Sequence, residues 1–544
     1  MRNKDIIYLC IILAILTSFL GLWIPVMNVD AAQYASMSRE MAETGSYLQV
    51  YNRGGDYLDK PPLLFWLSAA LMQVFGASTL WYKLPSFLFS VFAGYGIFRI
   101  ATLNRNVEAG MYAALIWFTS QAWFLMTLDV RTDLLLTSCI ALSVWQFEEW
   151  FASGKYKHTL FAGIFVGCAM LAKGPLGLVL PMVVVFVSAL SKGKLKSLLH
   201  PVNWAWVLVT ALMLVPMCIG LWQQFESEGL YFFFWKQSFG RITGENEWQN
   251  GAGPFFLTQN LLWAVLPWTY VLLLALWHIV RAALQKVSTI HGYGFMLAGI
   301  FFPLVSLSAS RYQLPHYIFV ALPYVAILCG VWLQSVLAAS ERKTIQHIRW
   351  ASKILVVLAL PLVVLLELYV MSTNNLVFRI LWLSLMIYGF YRIYSIRAGF
   401  VYMYGFAVGL WICVNLYLNV SFYPALLQYQ PAIAVAATLD AAPAHRDGFY
   451  VYQTGASHAL DFYTGRTNLI LYNPADISDY KAKHLLTDAA GLQDLAAAGI
   501  SVRVQHAYSN YPVQFLSLPF LNPTTRSAHI PYLYWVEVQA VAGS

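Results

Sequence analysis

The sequence predicts a polytopic α-helical membrane protein with a small α/β domain at its C-terminal end. Three observations carry this. Of the 544 residues, 59% are hydrophobic and 11% charged, against about 25% charged in soluble domains, which is too few to cover a globular surface. Apolar runs of roughly 17–25 residues, long enough to cross a bilayer, recur along residues 6–419. Residues 420–544 lose that pattern and alternate short helix-like and strand-like stretches.

About thirteen spans can be read, near 6–25, 81–103, 108–127, 134–151, 158–172, 176–191, 203–222, 257–281, 292–308, 317–338, 351–371, 376–395 and 399–419. Two of them, 158–172 and 176–191, are short and straddle Lys173-Gly174-Pro175, as a broken hairpin would. The run 62–77 is apolar but bounded by Lys60-Pro61-Pro62 and Gly76; it is placed as a helix lying in the interface. Arg2 and Lys4 precede an apolar core of about 20 residues, longer than the 7–15 of a signal peptide, so the first span is expected to stay uncleaved.

Charge sets the orientation. Lys and Arg number 33 and Asp and Glu 25, a net +8. The surplus sits in short clusters between apolar runs: Arg2/Lys4, Arg99/Arg105, Lys155/Lys157, Lys192/Lys194/Lys196, Arg281/Lys286, Arg342/Lys343/Arg349 and Arg392/Arg397. That arrangement follows the positive-inside rule and argues against nucleic acid as the partner. These clusters mark the cytoplasmic side, with the N-terminus cytoplasmic and the C-terminal residues outside. Two regions result: a transmembrane region over 1–420, with its first outer loop at 26–80, and an extracytoplasmic α/β domain over 421–544. In the latter, Pro431–Leu439, Ser457–Thr464 and Ala489–Ala498 read as helices, and Gly448–Gln453, Leu469–Tyr472, Ile500–Val504 and Tyr532–Val538 as strands. None of the six cysteines has CxxC spacing, so neither a disulfide framework nor a zinc knuckle is suggested.

Acids point to the chemistry. Of seventeen within residues 1–420, eleven fall in the outer loops. Three clusters stand out. Asp30 follows the first span, within Asn28-Val29-Asp30-Ala31-Ala32-Gln33-Tyr34, and is either an N-cap for a helix over 31–44 or a reacting carboxylate. The same loop carries Ser38-Arg39-Glu40-Met41 and Asp56-Tyr57-Leu58-Asp59-Lys60-Pro61-Pro62, where Lys60 either snorkels or holds a phosphate. The second cluster is Asp129-Val130-Arg131-Thr132-Asp133; again Asp133 is an N-cap or a site acid, and Arg131 fits a salt-bridged loop. The third is Ser310-Arg311-Tyr312-Gln313-Leu314-Pro315-His316-Tyr317. Pro315 breaks the helix at membrane depth, which is tolerated only where protein or water covers the backbone, so Arg311 and His316 are expected at a polar cavity. Trp235-Lys236-Gln237-Ser238-Phe239-Gly240-Arg241 supplies two further cations. A few acids and several cations at one membrane face suit a substrate with an anionic headgroup and a lipid tail.

In this order the motifs resemble a known group. Asp30 after the first span, Ser38-Arg39-Glu40-Met41, Asp59-Lys60-Pro61 before Phe65-Trp66, Asp133, Ala172-Lys173-Gly174-Pro175 and Leu314-Pro315-His316-Tyr317 resemble the bacterial GT-C glycosyltransferases, in the protein O-mannosyltransferase-like branch that includes the lipid A aminoarabinose transferases. The resemblance covers residues 1–420. It implies a polyprenyl (undecaprenyl) phosphate-linked sugar donor and inverting transfer to an acceptor at the periplasmic face of the bacterial inner membrane: lipid A or lipopolysaccharide, another glycan, or a protein. Carried over, Asp30 matches the catalytic aspartate and Asp133 the second acid near the sugar. Lys60 and Arg241 match the donor-phosphate grip, to which Arg311 is added. Tyr34, Asp59, His316 and Tyr317 are the expected substrate contacts. The family's Asp-Glu-x-Arg-Tyr is here Asp30-Ala31-Ala32-Gln33-Tyr34, so neither sugar nor acceptor is carried over. No cofactor is assigned; a divalent metal at Asp59 is conceivable, although the loops are poor in histidine. Two other readings compete: a transporter or flippase, which would place ionisable groups near the midplane and often show repeats, and a non-catalytic scaffold.

Overall fold

The computed structural model describes residues 3–237, 240, 250–285, 292–372, 375–395, 400–455 and 457–540. Seven helical segments among them are long and apolar enough to cross a membrane: Lys4–Trp23, Thr79–Asn104, Ala205–Lys236, Pro315–Ala338, Arg342–Val370, Leu376–Ile393 and Tyr404–Tyr429. Two bent pairs add to these. Val107–Thr119 turns by 50° into Gln121–Leu128, and Phe256–Ala264 by 116° into Thr269–Leu284. The straight spans expected at 108–127 and 257–281 are therefore broken, the second across Pro267, which has no N–H to continue the ladder. Four further helices fill the remaining expected positions: Thr132–Ser153, Lys157–Lys173, Leu176–Ser191 and Gly294–Ser308.

Burial separates two kinds of helix. Thr132–Ser153 is buried on every side, with Leu134, Leu135, Cys139, Ile140 and Leu142 inaccessible; a helix apolar all round belongs in a core. On the first helix, by contrast, Leu9, Ile12, Leu13, Leu16 and Leu20 are exposed, as are Ile354, Leu358, Leu362 and Leu365 further on. Such outward stripes at helical spacing are the surface of a protein solvated by lipid tails.

The first loop builds a small platform. Asp30–Thr44 turns Ala31, Ala32, Tyr34, Ala35 and Met41 inward, against the buried Leu64, Phe65, Ala69 and Met72 of Leu63–Phe75. The latter helix has 13 residues, about 20 Å at 1.5 Å per residue, too short to cross a bilayer. Between them lies a hairpin, β1 (Tyr51–Asn52) with β2 (Gly55–Asp56), whose turn amides Arg53 N and Gly54 N donate to the Glu40 carboxylate.

Residues 432–540 pack around a five-stranded sheet, β3 (Phe449–Tyr452), β4 (Ile470–Leu471), β5 (His484–Thr487), β6 (Ser501–Ser509) and β7 (Tyr532–Ala540), in the order β4-β3-β5-β7-β6. The first three are parallel, joined through helices His458–Thr464 and Pro474–Asp479; β7 and β6 are antiparallel. This unit is stapled to the beginning of the chain. Tyr463 Oη accepts from Val26 N, and the Gln430 amide bridges Asn28 N and Val26 O. Arg53 pairs with Asp461 and donates to Asn468 O, while the other Asp461 oxygen accepts from the Asn468 backbone and amide.

Asp461 is 1% exposed, so its removal leaves a half-buried guanidinium and an amide without an acceptor. Asp461→Ala is expected to cost about 3–5 kcal/mol, read as a lowered apparent Tm of the full chain in detergent and as faster proteolysis within 432–540. Asp461→Asn, which can still accept from Asn468, is expected to lose less.

Candidate active site

The site begins at two helix starts where neither aspartate caps. Residue 29 precedes the Asp30–Thr44 helix and makes no side-chain cap, and Asp30 turns its carboxylate across to Arg131, 2.6 Å away. Arg131 in turn holds Asp129 at 3.0 Å. Burial would lower the Arg131 pKa, but the flanking Asp129 and Asp30 carboxylates outweigh it and raise the guanidinium above its ordinary range, so it stays charged. Its side chain is only 18% exposed, so the cluster is a fixed junction between the first and second outer loops and not a solvated surface pair.

Asp133, one residue into its helix, is also uncapped. Its carboxylate is 4% exposed and meets Lys173 Nζ at 2.5 Å and, more distantly, His316 Nε2 at 3.6 Å. Lys173 lies 4.2 Å over the Tyr317 ring, and the His316 ring stands edge-on to Tyr317 at 5.2 Å. Three separate helix ends thus converge. The hairpin that delivers Lys173 depends on glycine twice. Gly174 has φ +72° with ψ −153°, a conformation open only to glycine. A Cβ on Gly177 would come within 2.2 Å of the Ala169 backbone, so only hydrogen there lets the two helices close.

These groups line one cleft of about 750 Å³. Its polar wall holds Lys60, Asp133, Lys173, Gln237, Ser306, Ser310 and Tyr317; its apolar wall is Leu136, Leu176, Leu180, Leu307 and Val320. Lys60 pairs with Asp59 at 2.6 Å, and Gln237 donates to the Asp59 carbonyl, fixing the loop that carries both. Lys60 also borders a second, smaller cavity of about 350 Å³ among Leu48, Val50, Tyr57, Leu58, Met217, Leu221 and Phe233. An ammonium at the boundary of a polar and an apolar space suits an amphiphile's charged junction.

Of the residues singled out in the sequence, Lys60, Asp133 and Tyr317 line the cleft, and His316 and Asp59 contact those that do. Three expected site residues do not line the cleft. Asp30 stands outside the cleft wall, 38% exposed and tied to Arg131. Tyr34 is buried against Phe65, with ring centroids 5.8 Å apart; burial and the neighbouring Tyr57, Asp30, Asp59 and Asp133 raise its phenol pKa, so it is neutral. Arg311 is exposed beside the cleft and not part of its wall, because the turn before Pro315 points it outward. Arg241 lies outside the described residues. Lys173 received no role of its own from the sequence, where it marked the break of a hairpin; its signal was a lone cation between two apolar runs. Among the described residues no three His, Cys, Asp or Glu side chains gather closely enough to hold a metal ion.

Removing one member of the buried pair should be worse than removing both. Lys173→Met strands the Asp133 charge and is expected to cost about 3–5 kcal/mol, and the double variant Asp133→Asn/Lys173→Met to recover most of it. Apparent Tm values of the singles and the double give the coupling; additive losses would show that the pair is not a unit.

With this geometry in hand, comparison with known proteins is informative. Residues 59–221 match the dolichyl-phosphate-mannose-protein mannosyltransferase family, a segment that contains Lys60, Asp133 and Lys173. The undecaprenyl phosphate-α-4-amino-4-deoxy-L-arabinose arabinosyl transferase of Serratia proteamaculans is 26% identical over 59% of this chain and 57% of its own length. A second such transferase of Pseudomonas fluorescens is 28% identical over 79% of this chain and 69% of its own. The chain thus spans less than two thirds of the length of the Serratia relative. Among solved structures, ArnT from Cupriavidus metallidurans bound to undecaprenyl phosphate superimposes with a TM-score of 0.72 at 18% identity, covering 99% of both chains. An oligosaccharyltransferase from Archaeoglobus fulgidus matches with a TM-score of 0.51 at 10% identity, over 90% of this chain and 69% of that one. By fold over nearly its whole length, and by sequence over much of it, the protein is a polytopic membrane protein of GT-C architecture, similar to the bacterial aminoarabinosyl transferases.

Proposed function

We propose that the protein is a bacterial inner-membrane glycosyltransferase that moves a sugar from a polyprenyl (undecaprenyl) phosphate donor to an acceptor at the periplasmic face, with inversion. The observation that carries this is the cleft itself, where Lys60, Asp133 and Lys173 face a wall of leucines, with a second apolar space on the far side of Lys60. A sugar phosphate on a long hydrocarbon tail needs both halves. Relatives named for an undecaprenyl phosphate donor and a neighbour solved with undecaprenyl phosphate support the donor class. In this reading the chain crosses the membrane thirteen times, counting each bent pair once and adding the four further helices. The basic clusters then face the cytoplasm, and residues 421–544 form a periplasmic α/β domain.

The acceptor oxygen attacks the sugar C1 from the side opposite the phosphate. The new C1–O bond forms as the bond to the phosphate oxygen breaks, and the polyprenyl phosphate leaves with the electron pair. Lys60 stabilises that charge as it develops, with Arg241 as its second cation. Asp133, held by Lys173 and close to His316, orients sugar hydroxyls. Asp30 takes the proton of a hydroxyl acceptor or positions a phosphate acceptor that is already ionised. Because Arg131 grips Asp30 in the structure, the acceptor must share or displace that contact, which makes Arg131 the group that aims the base. Gln33, where the relatives' motif has a cation, leaves the sugar and the acceptor (lipid A, another glycan or a protein) to experiment.

The test is a panel of labelled undecaprenyl-phosphate sugars given to the purified protein, reading release of undecaprenyl phosphate with and without acceptor extract, with Mg²⁺ or Mn²⁺ added or chelated. One sugar is expected to turn over. Asp30→Asn is expected to lower kcat about 10²–10⁴-fold; turnover equal to wild type would sink Asp30 as the base. Lys60→Met is expected to lower kcat about 10²–10³-fold and to raise KM as well, since the same ammonium meets the ground-state phosphate. No release from any sugar with an extract shown to be competent would favour a transporter of lipid-linked substrates.

A further inference from the structure

A second set of cations stands far from the cleft. The helix Leu322–Ala338 starts beside Tyr317 and runs 17 residues, about 25 Å, so the chain is at the opposite membrane face where Arg342–Leu365 begins. That helix has two faces. Thr344, Ile348, Ser352 and Val356, each four residues on, are buried. Arg342, Gln346, Arg349, Trp350 and Lys353 fall on the other face, where they and Ile345 line an open groove of about 960 Å³. Arg349 Nε is buried and meets no hydrogen-bond partner among the described residues, although a guanidinium N–H out of water costs free energy unless something accepts it. No acid lines the groove among the described residues, and the adjacent Glu341 carboxylate is engaged by Thr344.

Its depth identifies the ligand's source. Trp350 is 57% exposed with the Lys353 ammonium 5.5 Å from its ring centre, an arrangement common at the membrane–water boundary. One turn further, Ile354, Leu358 and Leu362 are exposed apolar residues on the lipid-facing surface. An anion at Arg342 and Arg349 therefore sits at headgroup level, with the exposed apolar residues lying below Trp350 at the groove's edge. We propose that this groove binds the phosphate of an anionic phospholipid headgroup, Arg349 supplying the buried donor and Arg342 the exposed one, on the face opposite the reaction cleft.

Diffuse attraction of any basic surface to anionic lipid is the competing account, and matched charge removal separates the two. The full-length protein, reconstituted in phosphatidylcholine vesicles with added phosphatidylglycerol, is compared as wild type, R342Q/R349Q and K194Q/K343Q; the last pair removes two exposed cations outside the groove. Phosphatidylglycerol retained through detergent extraction is counted by mass spectrometry. R342Q/R349Q is expected to retain at least about tenfold less, with K194Q/K343Q near wild type; equal loss in both pairs overturns the proposal. R342Q alone, at an exposed residue, should move in the same direction and guards against misfolding of the double variant; no change there, with a folded double variant that also retains lipid, overturns it too. Inorganic phosphate that displaces the lipid at equal concentration would assign the groove to a soluble anion and sink the lipid reading.

Discussion

Asp133 is a nearly buried carboxylate at the start of a helix, and the architecture of the cleft follows from how its charge is answered. An isolated carboxylate in such a place would cost several kcal/mol. Lys173 answers it, and for Lys173 to arrive there the chain must reverse within Gly174-Pro175 and lay Gly177 against the Ala169 backbone. That reversal also presents Leu176 and Leu180 as the apolar wall. The same few residues therefore set the polar and the apolar half of the cleft. Neither half can be altered without the other.

Around this pair the loops are held by a chain of cations that bridge segments remote in sequence. Arg131 joins Asp30 of the first loop to Asp129 of the second. Arg53 joins the first-loop hairpin to the sheet unit, while Glu40 clamps the turn beneath it. Lys83, fully buried in its helix, donates to the Ile24 carbonyl where the first span ends. In each case a charged side chain satisfies groups that the backbone leaves open, which is how irregular segments persist beside a membrane. The loops around the cleft are accordingly built as rigid parts.

Much of this was legible in the sequence because membrane solvation writes long, simple patterns. The positions of the long apolar helices, the short helix at 63–75 and the helix start at Pro315 followed from run length and proline chemistry. Bends were not legible: the turn at Gln121 is marked only by the short polar stretch Thr119-Ser120-Gln121 in an otherwise apolar run, and the 116° reversal at Pro267 sits between two runs of the same character. Asp30 and Asp133 were visible as acids at helix starts, yet sequence alone left capping open, since the partners that draw their carboxylates away lie 101 and 40 residues along the chain. The strand His484–Thr487 escaped because four residues, His-Leu-Leu-Thr, carry no alternation when both faces are buried.

The staples between the two ends of the chain bear on how the protein is made. Val26, Asn28 and Arg53 find their partners 437, 402 and 408 residues later. At roughly 5–20 residues per second, the ribosome supplies Tyr463, Gln430 and Asp461 some 20–80 s after their partners in the first loop have been made. During that interval the loop bearing Asp30 and Lys60 lacks these anchors, although every residue lining the cleft has already been made. The fixed position of the first loop therefore depends on residues made more than 400 positions after it.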